Sequence, residues 1–339
     1  MPILEGVPFG TELHEWEYAE GDLGIVYCLG REISAGHYDA VAAYHQVDEE
    51  SATKVSLESG EYLRRFIYQG LPEEIGRLAT LERTEIASKL VGSHAIGSVG
   101  LKIDFNSLQT LPSGYRSPSW WLNSDDQATE PFSEALALAI GYFDGIEGAE
   151  LYGGASFGLI DKHLKPVEDV DLVFPVSALQ KVKDSIRENQ TQFEWSDIDP
   201  HGRLLRKRQL QKVKRWTTSQ IRIANPYPMS IDIKVKRDLG DASLWDELKP
   251  DELTRPFDGL LEVENDTESL CTSPALTCRD IKDRRVAVLL DGYQYIGCAE
   301  TGDKIRVTGT ADREGKIVYV SQAGEHGIDP QLPVWLSTT

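Results

Sequence analysis

The segment from residue 151 to 174 constrains the fold of this chain more than any other part of its 339 residues. It reads Leu-Tyr-Gly-Gly-Ala-Ser-Phe-Gly, then a short loop, then Glu-Asp-Val-Asp-Leu-Val-Phe. This order predicts a strand end, a glycine turn that opens a short helix, and a second strand with two aspartates. Because side chains alternate along a strand, Asp169 and Asp171 share one face, and Val170 and Leu172 share the other.

The aspartate pair and the glycine turn together indicate a site for a metal ion and phosphate groups. Two neighbouring carboxylates repel each other unless a cation lies between them. Mg²⁺ suits such a pair, because it usually takes one or two carboxylates plus phosphate oxygens. Gly153 and Gly154 allow close backbone approach, and their amides at a helix start form an anion site. An Asp-x-Asp pair alone, however, is also common at the solvated end of an ordinary strand.

A third aspartate lies in a later apolar segment, Met-Ser-Ile-Asp-Ile-Lys-Val. Asp232 stands between two isoleucines there, which predicts a buried strand. On such a strand Asp232, Lys234 and Lys236 share a face, so a lysine lies beside the third carboxylate.

The three segments resemble the DNA polymerase β-type nucleotidyltransferase superfamily. Its pattern is a Gly-Gly or Gly-Ser turn, an Asp-x-Asp strand and a third acidic residue on a later strand. Members usually carry Ser directly after the first Gly, a position that Gly154 fills here, with Ser156 as a substitute. More loosely, the whole chain resembles uncharacterised archaeal-type nucleotidyltransferase-domain proteins.

The resemblance implies transfer of a nucleoside monophosphate from a nucleoside triphosphate (NTP) to an acceptor hydroxyl, with release of pyrophosphate. The implied cofactor is Mg²⁺ or Mn²⁺, and the implied catalytic and metal-binding residues are Asp169, Asp171 and Asp232. The implied nucleotide-binding residues are Gly153, Gly154, Ser156, Arg206, Arg208 and Lys234.

Residues 203–222 form a basic stretch without any acidic residue, in a chain of net charge −20. Interleaved leucines such as Leu204 and Leu210 favour a folded helix over a tail. The stretch would supply cations to a triphosphate or to a nucleic-acid backbone, since arginine binds phosphate in a bidentate manner. The acceptor would be RNA, a protein or a small molecule. A solvated charged face is the alternative interpretation.

The patterning along the chain predicts an α+β fold in four parts. These are a small β-rich domain at 1–70, a helical and irregular connecting region at 71–130, a nucleotidyltransferase core at 131–240, and a C-terminal, OB-like small β-barrel at 241–339. Strands are predicted at 22–29, 37–46, 54–57, 62–68, 259–263, 275–278, 286–290, 293–298, 304–309 and 316–320. Helices are predicted within 72–91, at 134–143 with Ser133 as the cap, and at 177–189, with a helix-prone connector at 238–258. Trp120 and Trp121 are expected to fill a core rather than to stack on bases.

Composition excludes several classes of protein. A charge of −20 argues against a general nucleic-acid binder, so that such binding would need a local basic patch. No apolar run approaches the ~18 residues of a membrane span, and the N-terminus has no signal-peptide pattern. We therefore expect a cytoplasmic protein without membrane contact, whose four cysteines, lacking C-x-x-C spacing, are reduced thiols.

Two other functions remain open. The first is a degenerate transferase that binds a nucleotide or nucleic acid without turnover, which the glycine at position 154 favours and the three carboxylates disfavour. The second is a toxin-like transferase that acts on a tRNA or a protein.

Overall fold

The computed structural model describes residues 17–21, 25–34, 37–65, 101–104, 109–111, 114–163, 167, 169–189, 193–194, 220–223, 229–237, 242–248, 252–271, 273–290, 295–320 and 327–331. These residues form an α+β structure, as predicted. They divide into two compact units. The first unit contains the described residues up to 194 together with 220–237, and the second contains those from 242 to 331. No helix among the described residues is both long enough and apolar enough to cross a bilayer.

The first unit is built mainly from strands. They are β1 (Tyr18–Gly21), β2 (Ile25–Ser34), β3 (His37–Gln46), β4 (Lys54–Ser56), β5 (Tyr62–Arg65), β6 (Leu101–Asp104), β7 (Gln109–Thr110), β8 (Glu150–Leu151), β9 (Leu159–Asp161), β10 (Asp169–Pro175), β11 (Phe193–Glu194), β12 (Gln220–Ile223) and β13 (Met229–Lys236). One sheet has the order β7-β1-β2-β3-β5-β4-β9, with β6 paired to β3. The predicted β-rich N-terminal region is therefore present, and β3 has the predicted bounds.

The second sheet of this unit carries all three predicted aspartates, in the order β11-β12-β13-β10-β8. Strand β10 is antiparallel to β8 and parallel to β13. Val170, Leu172 and Phe174 on β10 are completely buried. Burial of each such side chain contributes about 1.5–3 kcal/mol. The apolar face therefore anchors both strands and leaves the alternate residues to form the polar face.

Three α-helices lie in the first unit: α1 (Pro118–Leu122), α2 (Glu130–Gly141) and α3 (Leu179–Glu188). Helix α2 begins at Glu130, so the prediction that Ser133 caps it is wrong. Pro131 at the start explains the difference, because proline suits the first helical turn. The Ser133 hydroxyl instead donates to the carbonyls of Trp121 and Thr129. Trp121 is fully buried against the ring of Phe132, which confirms its predicted core role. The same prediction for Trp120 is wrong, because this side chain is 37% exposed.

Helices α2 and α3 precede and follow β10 in the chain. The ring of Phe143, just after α2, lies 5.3 Å from the ring of Phe174 on β10. The hydroxyl of Ser185 on α3 donates to the carbonyl of Tyr142, which ties the end of α2 to α3. Helix α3 lies in the chain segment that leads from β10 to its parallel neighbour β13. Parallel strands need such a crossover connection, because the chain must return to the same end of the sheet. The contacts of Phe143 and Ser185 hold the end of α2 against the C-terminal end of β10 and against α3.

The glycine turn joins the two sheets of the first unit. Strand β9, which follows the turn directly, pairs with β4 of the N-terminal sheet. Phe157 and Leu159 are buried in one apolar cluster with Val26, Tyr44 and Leu63 of that sheet. Strand β9, from the segment 131–240, thus belongs to the same sheet as the strands of the first 70 residues. The predicted division at residue 70 did not include this pairing.

A closed five-stranded β-barrel forms the second unit, which confirms the predicted small barrel. Its five strands are β14 (Arg255–Asn265), β15 (Ala275–Asp280), β16 (Arg285–Leu290), β17 (Lys304–Ala311) and β18 (Ile317–Val320). A sixth strand of the same sheet is β19 (Gly327–Gln331). The order is β14-β15-β16-β18-β17, and β17 pairs back to β14 to close the barrel. Buried and exposed residues alternate along β17, so its apolar side chains fill the interior.

Two predictions for the second unit are wrong. Residues 295–298 form a helical turn and a bend rather than part of a strand at 293–298. In its described residues, 242–248 and 252–258, the helix-prone connector contains no α-helix but a one-turn 3-10 helix, Leu244–Glu247, which begins with a capping box from Ser243 and Asp246. Arg255–Pro256 already belongs to β14. The predicted helices within 72–91 lie outside the described residues.

Candidate active site

Asp171 and Asp232 are register partners on the parallel strands β10 and β13. Neighbouring strands lie about 4.7–4.9 Å apart, and register partners project to the same face. Asp169 has the same relationship to Ser230, one pleat closer to the strand start. The predicted common face of the aspartates is therefore present in the structure.

The three carboxylates differ in their exposure. Asp169, the first residue of β10, is exposed, Asp171 is half-buried, and Asp232 is only 7% exposed. Within the described part of the chain, no group of three or more His, Cys, Asp or Glu side chains is arranged to hold a metal ion. The register therefore brings one close carboxylate pair together, and Asp169 stands at its outer edge.

Gly153 lies directly against Asp171. It has a φ of 72° and a ψ of −165°, a conformation that is essentially limited to glycine. A Cβ atom at Gly153 would lie 2.0 Å from Oδ2 of Asp171. Position 153 thus requires glycine because of its backbone conformation and because a side chain would collide with Asp171. The backbone of the turn therefore lies directly against the carboxylate of Asp171.

Tyr152 links the two strands of the carboxylate pair, a role that sequence reasoning missed. Its hydroxyl donates to Oδ2 of Asp232 at 3.4 Å, in a buried position. Its backbone amide donates to the carbonyl of Asp171 at 3.2 Å. The sequence shows only that a tyrosine directly precedes the glycine turn. Its place beside Asp232 follows from the pairing of β8 with β10 in the sheet.

Lys234 lies two residues beyond Asp232 on the same strand face, as predicted. Its side chain is only 2% exposed. The ammonium group lies 5.7 Å from the centre of the Tyr152 ring, within the range of a cation–π interaction. A positive charge is therefore held beside the carboxylate pair by packing as well as by charge.

A charged network supports the far end of this face. Glu150 on β8 accepts a hydrogen bond from Lys236 at 2.6 Å and from Arg116 at 2.5 Å. Arg116 also contacts Glu17. Burial raises the pKa of Glu150, but the charges of Arg116 and Lys236 outweigh it and hold that pKa below its ordinary value. The network joins β8 and β13 to Arg116 and, through it, to Glu17.

The rest of the glycine turn is a one-turn 3-10 helix, Gly154–Phe157. The Ser156 hydroxyl is buried and donates to the carbonyl of Gly153 at 2.8 Å. The hydroxyl proton of Ser156 is therefore committed to the shape of the turn. Gly158 ends the turn in the left-handed conformation, where a Cβ would meet the Tyr115 ring at 2.9 Å.

The structure thus brings Gly153, Asp171, Asp232 and Lys234 to one place and adds Tyr152 to them. Arg206 and Arg208 lie outside the described residues, so their predicted nucleotide contacts stay predictions. No family model, curated protein or solved structure matches this chain.

Proposed function

We propose that this protein is a Mg²⁺-dependent nucleotidyltransferase, which moves a nucleoside monophosphate from an NTP to an acceptor hydroxyl and releases pyrophosphate. The observation that carries the proposal is the register of Asp171 and Asp232, with the bare backbone of Gly153 against the first of them. A carboxylate pair beside a glycine turn suits a substrate that brings its own phosphates and a divalent cation.

The order of the elements supports the same proposal. Helix α2, strand β8, the glycine turn, strand β10, helix α3 and strand β13 occur in this order in the chain, with β9 between the turn and β10 and with β11 and β12 between α3 and β13. The resemblance to polymerase β-type nucleotidyltransferases implies a helix, a strand, a glycine turn and an Asp-x-Asp strand in this order, with a third acidic residue on a later strand. In this structure that later strand, β13, is parallel to β10. The argument for function still rests on the site, because a fold alone does not determine function.

The donor set fits Mg²⁺ or Mn²⁺. Asp171 and Asp232 would hold the ion, with Asp169 at the outer edge, since Mg²⁺ binds one or two carboxylates and fills its other positions with phosphate oxygens and water. The bound cation would stabilise the negative charge of the attacking and leaving oxygens. The chain itself positions these carboxylates through the β10–β13 register and the Tyr152 hydroxyl.

The remaining residues have separate tasks in this proposal. Gly153 lets the carboxylate of Asp171 lie directly against the backbone of the turn without steric conflict. Lys234 offsets the charge of the carboxylates and of the triphosphate. Asp232, the most buried of the three aspartates, would orient the acceptor hydroxyl or accept its proton, a contribution of typically ~10²–10⁴-fold in rate.

The acceptor is proposed only by chemical class: RNA, a protein or a small molecule with a hydroxyl. The 203–222 stretch would bind an RNA acceptor through its phosphates. The barrel is OB-like, and such barrels often bind oligonucleotides. Several of its described arginines, however, form ion pairs with carboxylates, as Arg306 does with Asp258 and Arg279 with Glu264. This pairing favours the basic stretch over the barrel as the RNA-binding element.

Labelled NTPs test the proposal. The protein is incubated with Mg²⁺, each α-labelled NTP in turn and a cell extract, and both pyrophosphate release and label transfer are measured. Transfer of label should depend on Mg²⁺. The Asp232→Ala variant should bind Mg-NTP within about tenfold of wild type yet release no pyrophosphate, because a group acting on the transition state affects turnover more than binding.

A nucleotide-binding protein without turnover is the second candidate. It is favoured by Gly154, which stands where the resembled family usually has serine, and by Ser156, whose proton already serves the Gly153 carbonyl. Calorimetry separates the two functions. Binding of Mg-NTP with no pyrophosphate release in any extract would establish the binding protein and exclude the transferase.

A further inference from the structure

A short aromatic segment packs against the glycine turn. It consists of a one-turn 3-10 helix, Gly114–Arg116, and of helix α1. The ring of Tyr115 fills the space beside Gly158, where a Cβ atom would lie 2.9 Å from it. The guanidinium of Arg116 contacts the carboxylate of Glu150 on β8 at 2.5 Å. The segment is therefore attached both to the strand that precedes the glycine turn and to the residue that ends it.

Trp120 presents its indole ring at the surface of this segment. Its side chain is 37% exposed, whereas that of Trp121 is completely buried. The Trp120 ring lies 4.5 Å from the Tyr115 ring and 5.1 Å from the Trp121 ring, at interplanar angles of 69° and 80°. Both contacts are nearly perpendicular, so neither of these two rings is stacked parallel on the indole. Trp120 is also the largest exposed apolar side chain among the described residues.

The surroundings of Trp120 hold its indole in place. The backbone amide of Trp120 donates to the carbonyl of Ser117 at 3.1 Å. The indole N–H of Trp121 donates to the carbonyl of Tyr115 at 2.9 Å, and the Trp121 ring packs on Phe132 of α2. An aromatic surface that is ordered before binding loses little conformational freedom when a ligand stacks on it.

The position of Trp120 relative to the carboxylate pair suits a nucleotide. The 3-10 helix between Gly153 and Gly158 rises about 2 Å per residue, so these two glycines lie within about 10 Å of each other. Gly153 lies against Asp171, and Gly158 lies against Tyr115, whose ring contacts that of Trp120. A nucleotide with its phosphates at the carboxylate pair carries its base at the opposite end of the molecule. The base is flat and uncharged, so it can stack on an indole without a compensating cation.

We propose that Trp120 binds the base of the NTP, which stacks on its indole ring. This inference rests on the proposed function and deepens it, because it assigns a residue to the base as well as to the phosphates. Every nucleobase has a π-face, so the contact accepts all four bases. The two fused rings of a purine offer more area for stacking than a pyrimidine does. The expected preference is therefore for ATP and GTP over CTP and UTP.

Probes with and without a base test this contact. Mg-tripolyphosphate, which has no base, and the four Mg-NTPs are titrated by calorimetry into wild type, Trp120→Leu and Trp120→Phe. Trp120→Leu keeps an apolar side chain but removes the ring, so it should weaken binding of the Mg-NTPs about fivefold to a hundredfold. Binding of Mg-tripolyphosphate should not change. Trp120→Phe keeps a ring and should bind every probe within about threefold of wild type.

Leu122→Ala is the matched control, because Leu122 is an exposed apolar side chain of the same helix. It should bind every probe normally. Tryptophan emission gives a second measurement, which does not require that Trp120→Leu folds. A stacked base quenches an indole, so Mg-ATP should lower the emission of wild type and should lower that of Trp120→Phe much less.

Every other result overturns the inference. If wild type and Trp120→Leu bind the Mg-NTPs equally well, or if Mg-ATP quenches wild type and Trp120→Phe alike, the base does not contact Trp120 and the proposed function stands. An equal loss of Mg-tripolyphosphate and Mg-NTP binding would show that Trp120 only supports the glycine turn through Tyr115. A loss confined to a single-stranded RNA, titrated in parallel, would assign the ring to an acceptor. If wild type binds none of the probes, the proposed function and this inference fall together.

Discussion

Asp171 and Asp232 stand side by side on parallel strands whose opposite face is completely apolar. The apolar face fixes the position of both strands, and the carboxylates are therefore held together although they repel each other. Such a pair costs stability in the empty protein and provides affinity for a cation. The predictions below follow from this relationship and from the contacts around it.

Replacement of Asp171 by Asn should raise the stability of the metal-free protein. Removing one of two adjacent carboxylate charges relieves a repulsion of about 1 kcal/mol. This corresponds to a rise in melting temperature of about 2–4 °C for a unit of this size. Wild type should gain melting temperature on addition of Mg²⁺ by mass action, and the variant should not.

The exposed Asp144 provides the control for this measurement. Asp144→Asn should leave both the melting temperature and its response to Mg²⁺ unchanged. An Mg²⁺ response that persists in Asp171→Asn would mean that the ion binds elsewhere and that the carboxylate pair is not the metal site.

Replacement of Gly153 by Ala should destabilise the protein more than replacement of Gly145 by Ala. Both glycines have similar positive φ values, 72° and 76°, but a Cβ at 145 meets no atom within 4 Å. Backbone strain costs of order 1–3 kcal/mol at either position. The collision with Asp171 should add about 1–3 kcal/mol at position 153 alone, and urea unfolding of both variants measures the difference.

A double-mutant cycle identifies the source of that difference. In the Asp171→Ala background the colliding carboxylate is absent, so Gly153→Ala should cost less than it does in wild type. Equal costs in the two backgrounds would attribute the whole effect to the backbone conformation and would refute the close contact with Asp171.

Glu150 should make stability depend on acidic pH. Its pKa lies below the ordinary 4.5 because Arg116 and Lys236 outweigh the effect of burial. A depressed pKa in the folded state means that the stabilisation is present above the unfolded value and is lost as the pH falls through the folded value. The free energy of unfolding should therefore decline below about pH 4.5.

The Glu150→Gln variant should lose this decline and be less stable than wild type near pH 7. Urea unfolding is measured from about pH 3 to about pH 7 in steps of about half a unit. This series resolves the change in the free energy of unfolding, because a shift of one pKa unit corresponds to about 1.36 kcal/mol. Glu147→Gln, on the exposed loop before β8, is the control and should follow wild type at every pH. Parallel profiles for Glu150→Gln and wild type would contradict the proposed network.

The sequence alone was sufficient to predict the strands that carry the three aspartates, because their side chains alternate clearly between apolar and polar. Val170 and Leu172 alternate with Asp169 and Asp171, and Ile231 and Ile233 flank Asp232, so a period of two is unambiguous. The register that makes Asp171 and Asp232 neighbours was not predictable, because it depends on how β10, α3 and β13 pack in three dimensions.

The contacts of Tyr44 and Tyr152 could not be predicted for the same reason. The Tyr44 hydroxyl lies against Gly154 only because β9 leaves the turn to pair with β4 in the other sheet. Tyr152 reaches Asp232 only because β8 and β13 lie on opposite sides of β10. Local patterns predict which face a side chain occupies, whereas the residue opposite it depends on sheet order.

Replacement of Tyr152 by Phe should lower turnover while leaving nucleotide affinity almost intact. The change removes the hydroxyl that donates to Asp232 and keeps the ring that packs on Lys234. At 3.4 Å the hydrogen bond is long and contributes about 1 kcal/mol. Turnover should therefore fall about fivefold to tenfold if that energy holds Asp232 in place for the reaction.

Tyr152→Leu is the matched comparison, because it removes the ring as well. Lys234 then loses its aromatic partner, so Mg-NTP affinity should fall together with turnover. Initial rates of pyrophosphate release over a range of NTP concentrations give kcat and KM for wild type and for both variants. A fall in kcat alone for Tyr152→Phe, and a fall in kcat together with a rise in KM for Tyr152→Leu, assigns the hydroxyl to Asp232 and the ring to Lys234. If Tyr152→Phe raises KM and leaves kcat unchanged, the hydroxyl serves nucleotide binding and does not position Asp232.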